Sequence, residues 1–412
     1  MTIKLYNTMK RRKVKFESTE KKKLKMFVCG PTVYDSMHLG HARVFIFYDL
    51  LSKFFEINNY KVNFVINLTD LDPKIFEKAK NDKVKYNVIS EKYTKEFLRD
   101  IDLLNINSKI TFAKASDYVD EAINQINGLI ANKFAYKSSG KVFYDTLKFS
   151  DYGKLSKQTS AEIKLRRLEI DPDKRSQSDF PLWVPSEENE PVWNTKFGNG
   201  KPGWHIEDTA ISIKLLGERY DIHGGAKELI FPHHEAEIAQ AEGFTGKNPF
   251  VKYWIHTGLL KINGKKMSKS LKNSIKVSDL LKQYESNVIK LYFCSYKYRK
   301  DMNFNTEEIN EIKKTLRIIK NAVKKLNSIN NSGYNSIKKE KGNDWSDFKR
   351  CFYEYLADDM DTPNALNKLK EFSGWVNNSN NKLLNNEIKQ VFFTMCWSLG
   401  LIFEKDFIPL KN

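Results

Sequence analysis

The sequence has 412 residues, 41% hydrophobic and 29% charged, the balance of a globular chain of roughly two to four domains. No stretch approaches the ~18 uncharged apolar residues of a membrane span, since the most apolar run, VFIFYDLLSKFF, carries Asp49 and Lys53. Lys and Arg number 69 against 51 Asp and Glu, a net charge of +18 that fits either a lysine-rich surface or a polyanionic partner such as nucleic acid. Four scattered cysteines (Cys29, Cys294, Cys351 and Cys396) form no CxxC pair, and the N-terminus lacks a secretory signal core. A reducing, cytoplasmic location without membrane contact is therefore expected.

In chain order, KMFVC reads as a short strand and is followed by the turn-rich loop GPTVYDSMHLGH. ARVFIFYDLLSKFFEI then places Val44, Tyr48, Leu51 and Phe55 at helical spacing. After Asn58-Asn59, VNFVINL reads as a second strand, so residues 25–68 predict a parallel βαβ unit with ligands above the carboxyl ends of its strands. Residues 86–135 read as helical, in two amphipathic segments. From about 140 to 203 the chain is irregular, and a second α/β stretch runs from Trp204 to about Phe244. Beyond Asp301 the pattern is helical, at 305–326, 346–357, 364–377 and 386–403, apart from the polar loop NSINNSGYNSIKKEKGN. The expected fold class is α/β, a doubly wound parallel sheet with a C-terminal helical bundle.

All seven histidines lie between residues 38 and 256, which suggests one catalytic half and one binding half. His38-Leu39-Gly40-His41 falls at a predicted strand-to-helix transition. Two imidazoles and a helix N-terminus there can donate to triphosphate oxygens, while Gly40 lets a flat base approach the backbone. Such a motif alone is weak. Lys266-Met267-Ser268-Lys269-Ser270 lies in a Gly- and Ser-containing loop whose two lysines can close over a triphosphate. His233 and Glu237 are four apart and so share one helical face, which taken alone reads as an ordinary solvated helix start. Taken singly, Cys29 would read as a small buried hydrophobe and Trp204 as a core residue.

HLGH with KMSKS resembles the signature pair of class I aminoacyl-tRNA synthetases. FVCGPTVYDSMHLGHARVF, NLTDLDPKI, PGWHIED, DIHGGAKELIFPHHEAEIAQAE and KKMSKSLKN extend the resemblance, over nearly the whole chain, to the cysteinyl-tRNA synthetases. The resemblance implies a Rossmann-like catalytic domain in two halves (1–115 and 201–245) and a connecting insertion (116–200). It further implies a stem-contact region bearing KMSKS (246–300) and a tRNA-binding bundle (301–412). His38, His41, Lys266 and Lys269 would act on the phosphates, and Gly40, Met267, Ser268 and Ser270 would join them around ATP. Magnesium would arrive with the ATP. Cys29, Thr69, Trp204, His223 and Glu228 would bind L-cysteine, and Cys29, Asp208, His233 and Glu237 would hold one zinc ion. Cysteine tRNA is the implied partner of a monomeric enzyme.

Zinc is the natural reader of this substrate. Cysteine and serine differ by one atom, which a pocket separates poorly, whereas a soft thiolate on zinc is strongly favoured over a hydroxyl. The sequence departs from the family pattern in places. Asp208 stands where a second cysteine is usual, Glu228 where aspartate is usual, Pro73 within TDLDPK and Lys272 after KMSKSL. No segment resembles the small anticodon-reading domain that many relatives carry after the bundle. Two other readings remain open at this level: a cysteine:amino-sugar ligase of the mycothiol-pathway type, and an inactive RNA-binding paralogue.

Overall fold

The computed structural model describes residues 1–159, 162, 171–267, 273–329, 345–404 and 407–411. Its centre is a five-stranded, all-parallel sheet built from β1 (Lys23–Val28), β2 (Lys61–Leu68), β3 (Ile110–Lys114), β4 (Tyr220–Ala226) and β5 (Val251–Thr257), in the order β5-β4-β1-β2-β3. The middle strands are apolar on both faces, with Met26, Phe27, Val28, Phe64, Val65 and Ile66 buried. A parallel sheet covered by helices requires that pattern.

Helix α1 (Leu39–Ile57) is the right-sized crossover from β1 to β2. The chain leaves β1 toward β2 on one side, while β4 pairs with β1 on the other. The carboxyl ends of β1 and β4 therefore flank a topological switch point, the place where such sheets bind ligands. Helix α2 (Pro73–Asp82) begins with Pro73 at its first turn, capped by Asp72, whose side chain accepts from the Lys74 amide at 2.8 Å. The unusual proline thus stands where a missing N–H costs nothing.

Two differences from the sequence reading concern the sheet itself. Between helices α3 (Tyr86–Leu103) and α4 (Val119–Ala131), the residues read as helical include strand β3. This strand is five residues long and only partly buried, too short to show a period. Strand β5 lies past the expected domain limit at 245, yet it pairs along its length with β4. The stretch 246–300 therefore completes the catalytic sheet as well as carrying the lysine-rich loop.

Residues 135–202 supply a four-stranded antiparallel sheet, and α4 packs against α5 (Trp204–Leu216), where Thr209 Oγ1 donates to Gln125 Oε1 at 3.1 Å. Helix α6 (His233–Thr245) follows β4 through a short 3-10 turn. After α7 (Val277–Gln283) and α8 (Ser286–Cys294) come the bundle helices α9 (Thr306–Asn327), α10 (Ser346–Ala357), α11 (Thr362–Asn378) and α12 (Asn386–Ser398). Their shared core includes Leu326, Phe352, Leu369, Phe372 and Phe392.

A buried charge joint ties bundle to sheet. Asp49 and Lys53 of α1 pair at 2.7 Å, both without solvent exposure. Lys290 of α8 donates to the Asn105 and Gly400 carbonyls at 2.6 and 2.7 Å. Among the described residues no helix is long and apolar enough to cross a membrane.

Candidate active site and metal centre

The first site element is the start of α1. His38 has extended backbone geometry (φ −100°, ψ 165°) and caps the helix, its Nδ1 accepting from the His41 amide at 3.3 Å. The two imidazoles stack, with centroids 3.6 Å apart and planes at 14°. This pairs two ring donors at a positive helix end.

The chain after the lysine-rich loop is laced to this turn. The Leu39 amide donates to Ile275 O at 2.9 Å, and the Val277 amide to Met37 O at 2.9 Å. On the other side of the loop, Met267 is buried and its Cε lies 3.0 Å from where a Cβ on Gly40 would sit. The HLGH turn and the ends of the KMSKS loop therefore touch. The side chain of Lys266 and residues Ser268, Lys269 and Ser270 lie outside the described residues.

The second element gathers at the carboxyl ends of β1 and β4. Cys29 follows β1, and its amide donates to Gly224 O at 3.0 Å. Its Sγ lies 3.2 Å from Asp208 Oδ2, 3.1 Å from His234 Nε2, 3.4 Å from His223 Nε2 and 3.7 Å from Glu237 Oε1. His233 Nε2 reaches Asp208 Oδ2 at 2.9 Å and Glu237 Oε1 at 3.0 Å. Two overlapping donor sets result, Cys29/Asp208/His233/Glu237 and Cys29/His223/His234/Glu237, each with donor atoms within 4.8 Å of one another and every residue buried.

These donors suit a metal ion on chemical grounds. A thiol and two carboxylates are buried together, and Glu237 Oε2 faces His223 Nε2 at 3.2 Å without a well-formed hydrogen bond among the described residues. Burial first, then the charges of Glu237 and Asp208, pushes the Cys29 thiol well up. Burial and Asp208 likewise push Glu237 well above the carboxylate range. Burial also lowers His223 and His234, which favours their neutral imidazole forms, each with one ring nitrogen turned toward Cys29. A divalent cation reverses this destabilisation of the anionic forms, and the mix of sulfur, nitrogen and oxygen donors matches zinc.

Outer partners orient the donors. His205 Nδ1 lies 2.7 Å from His233 Nδ1, which turns the Nε2 of His233 toward the carboxylates. Tyr220 holds His223 Nδ1 at 2.6 Å. His256 Nε2 meets His234 Nδ1 at 2.8 Å, and Thr8 Oγ1 meets His256 Nδ1 at 2.8 Å. Asn67 at the end of β2 donates from Nδ2 to Asp208 Oδ1 at 2.6 Å.

Of the residues expected to contact cysteine, Cys29 and His223 are in the cluster. Trp204 borders it, stacked on His233 (4.5 Å, 23°) while 42% exposed. Thr69 is buried one step away, its Oγ1 3.3 Å from Asn67 Nδ2. Glu228 stands exposed on the 3-10 turn after β4.

The sequence reading missed His234, His256, His205 and Asn67. The confinement of every histidine to residues 38–256 was the available signal. Five of the seven stand in one chain of ring contacts, 205–233–234–223 with 256 beside 234.

Residues 15–314 match the profile described as the tRNA synthetases class I (C) catalytic domain. The chain is 38% identical over 405 residues to the cysteine–tRNA ligase of Thermoplasma volcanium, covering 97% of this chain and 88% of that one. It is 38% identical over 387 residues to the cysteine–tRNA ligase of Methanococcus maripaludis, covering 91% and 80%. Among solved structures, a Mycobacterium tuberculosis methionyl-tRNA synthetase in complex with methionyl-adenylate matches with a TM-score of 0.68 at 14% identity, over 92% of this chain and 91% of that one. A putative arginyl-tRNA synthetase from Campylobacter jejuni matches at 0.61 and 13%, over 95% of each. Those two likenesses show the class I fold.

Proposed function

The chain belongs to the cysteinyl-tRNA synthetases of class I, and from that premise we propose how its residues divide the work of a cysteine–tRNA ligase. In the first step a carboxylate oxygen of cysteine attacks the α-phosphorus of ATP, and the bond to the departing pyrophosphate breaks. In the second, a terminal ribose hydroxyl of cysteine tRNA takes the cysteinyl group and AMP leaves. Neither step needs a covalent enzyme intermediate, so positioning and electrostatics carry the catalysis.

His38 and His41 donate to the phosphate oxygens that gain charge in the transition state, at the positive end of α1. Lys266 and Lys269 hold the β- and γ-phosphates, with Met267, Ser268 and Ser270 forming the rest of the loop. Gly40 leaves room for the adenine, and magnesium travels with the nucleotide. The observation that supports this most is the lacing of 275–277 and Met267 onto the HLGH turn. These contacts join the described ends of the loop to the histidine turn.

Cys29, Asp208, His233 and Glu237 would hold a zinc ion. When bound, it would supply a soft Lewis acid for the substrate thiolate, which a serine hydroxyl matches poorly. Trp204 closes the outer wall of the pocket, Thr69 and Glu228 receive the ammonium group, and His223 lines the floor. The bundle from residue 301 contacts the tRNA.

Aminoacylation of cysteine tRNA transcripts, run beside cysteine-dependent pyrophosphate exchange and zinc analysis, tests the whole assignment. Charging with cysteine, exchange, and near-stoichiometric zinc lost in Cys29→Ser and His233→Ala support it. Exchange without charging would favour an amino-sugar acceptor. A metal-free protein that still selects cysteine over serine would remove the zinc assignment.

A further inference from the structure

We propose that Asn67 is a positioning residue that decides which oxygen of Asp208 faces the metal. The inference rests on the assignment of Asp208 as a zinc ligand. A carboxylate differs from a thiolate in having two oxygens and free rotation about its last bond. An aspartate at this place can therefore turn, bind through either oxygen, or chelate through both.

The hydrogen bonds remove that freedom. The Gly30 amide can only donate, and it meets Asn67 Oδ1 at 2.7 Å. The amide oxygen of Asn67 must face Gly30, so its NH2 must face the other way. That NH2 donates to Asp208 Oδ1 at 2.6 Å and lies 3.3 Å from Thr69 Oγ1. Asp208 Oδ1 is thus engaged. Oδ2 is the oxygen left pointing at Cys29 Sγ (3.2 Å) and His233 Nε2 (2.9 Å).

Both residues are 1% exposed, so water does not readily substitute for the amide. Gly30 packs directly on β2, where a Cβ would lie 1.7 Å from the backbone carbonyl oxygen of Asn67. Backbone, amide and carboxylate therefore form one rigid chain from β1 through β2 to α5.

A cysteine at 208 offers one donor atom and nothing for Asn67 to select. That difference makes the role testable by a double-mutant cycle. Zinc release to a chelator would be measured, as rate and as equilibrium affinity, for the unaltered chain, Asn67→Ala, Asp208→Cys and the double variant. Melting temperatures would be followed alongside. Asn67→Ala should weaken zinc about 10–100-fold in the Asp208 protein, and less than about threefold in the Asp208→Cys protein. The absorption bands of the cobalt-substituted protein should shift with Asn67→Ala only when Asp208 is present.

Equal losses in both backgrounds would overturn the inference, because Asn67 would then merely support the Gly30 turn. Should Asn67→Ala fail to fold, Asn67→Leu fills the space without a donor or an added charge, and the same cycle applies. Asp208→Ala tests the underlying assignment by itself. If zinc is absent from the unaltered chain or indifferent to Asp208→Ala, the ligand assignment fails and this inference falls with it. If zinc depends on Asp208 but not on Asn67, only this inference fails.

Discussion

Lys290 offers the most quantitative check on how the bundle is joined to the catalytic sheet. Burial pushes its ammonium down to about 7 from an ordinary 10.5, with Lys53 adding to the effect and Asp49 opposing it. In the unfolded chain the lysine keeps its proton until far higher pH. Between pH 7 and 10.5 the unfolded state therefore binds more protons than the folded one, so stability rises with pH across that window and is lost as pH falls through 7. At about 1.4 kcal/mol per pH unit, integration from pH 6 to pH 9 gives a gain of about 3 kcal/mol from this one group.

Asp49 and Cys294 do not titrate in the same range. Burial opposes ionisation of Asp49, but Lys53 and Lys290 outweigh it and hold the carboxyl below its usual value, while burial keeps Cys294 a thiol, pushed up to about 12. In Lys290→Met the contacts to Asn105 O and Gly400 O disappear, a loss on which this slope does not depend. The unaltered protein should therefore gain on Lys290→Met steadily between pH 6 and 9, by about 3 °C in melting temperature for a chain of this length. Thermal unfolding of both proteins across that range is the assay, and other titrating groups cancel in the difference. Parallel profiles would show that Lys290 is charged in the fold, or solvated, and would refute the reasoning.

Gly40→Ala would bring a Cβ within 3.0 Å of Met267 Cε and 3.1 Å of the His38 ring. Cysteine-dependent pyrophosphate exchange should slow about 10–100-fold with little change in melting temperature, and unchanged exchange would separate the turn from phosphate chemistry. Trp204→Ala removes an exposed ring stacked on His233, so KM for cysteine should rise several-fold with zinc content unchanged. A fall in kcat at constant KM would contradict a wall role. On the bundle, Lys313, Arg317 and Lys320 line a cavity of about 340 Å³ with Tyr284 and Glu285, and Lys320 is already paired with Glu285 at 2.7 Å. Lys313→Ala and Arg317→Ala should each reduce the salt slope of tRNA binding by about 1 while pyrophosphate exchange stays constant.

What could be read from the sequence follows the range of the interactions. The β1–α1–β2 unit was legible because its periodicity, turn residues and length are all local. Strand β3 was not, because five residues at a sheet edge carry no period, and the helices on either side dominate any window around it. Lys53 and Asp49 counted in the sequence only as charges that forbid a membrane span. Lysine is rarely buried, and nothing local says that Lys53 is wholly enclosed or that Lys290, more than 200 residues away, shares its surroundings. The buried cluster around Cys29 shows the same limit. The spacing of four puts His233 and Glu237 on one helical face in the sequence, whereas the contact of His234 with Cys29 exists only because β4 lies beside β1.

The same adjacency explains how this chain can carry aspartate at 208. Thiolate and carboxylate both bring one negative charge, so the exchange leaves the electrostatics of the buried cluster nearly unchanged. Under the proposed ligand set, a zinc ion there would still meet one sulfur, one nitrogen and two carboxylate donors. Two properties do change, the softness of the donor and the number of oxygens that could compete for the ion. Softness would be the smaller loss, because under the proposed assignment the substrate brings its own sulfur and selection against serine would rest on that sulfur. The second oxygen is the larger hazard, since a carboxylate free to chelate would occupy the position that the substrate thiolate needs. Asn67 occupies that oxygen at 2.6 Å. An aspartate so restrained offers one donor atom, as a cysteine does, and leaves the remaining position for the amino acid to be recognised.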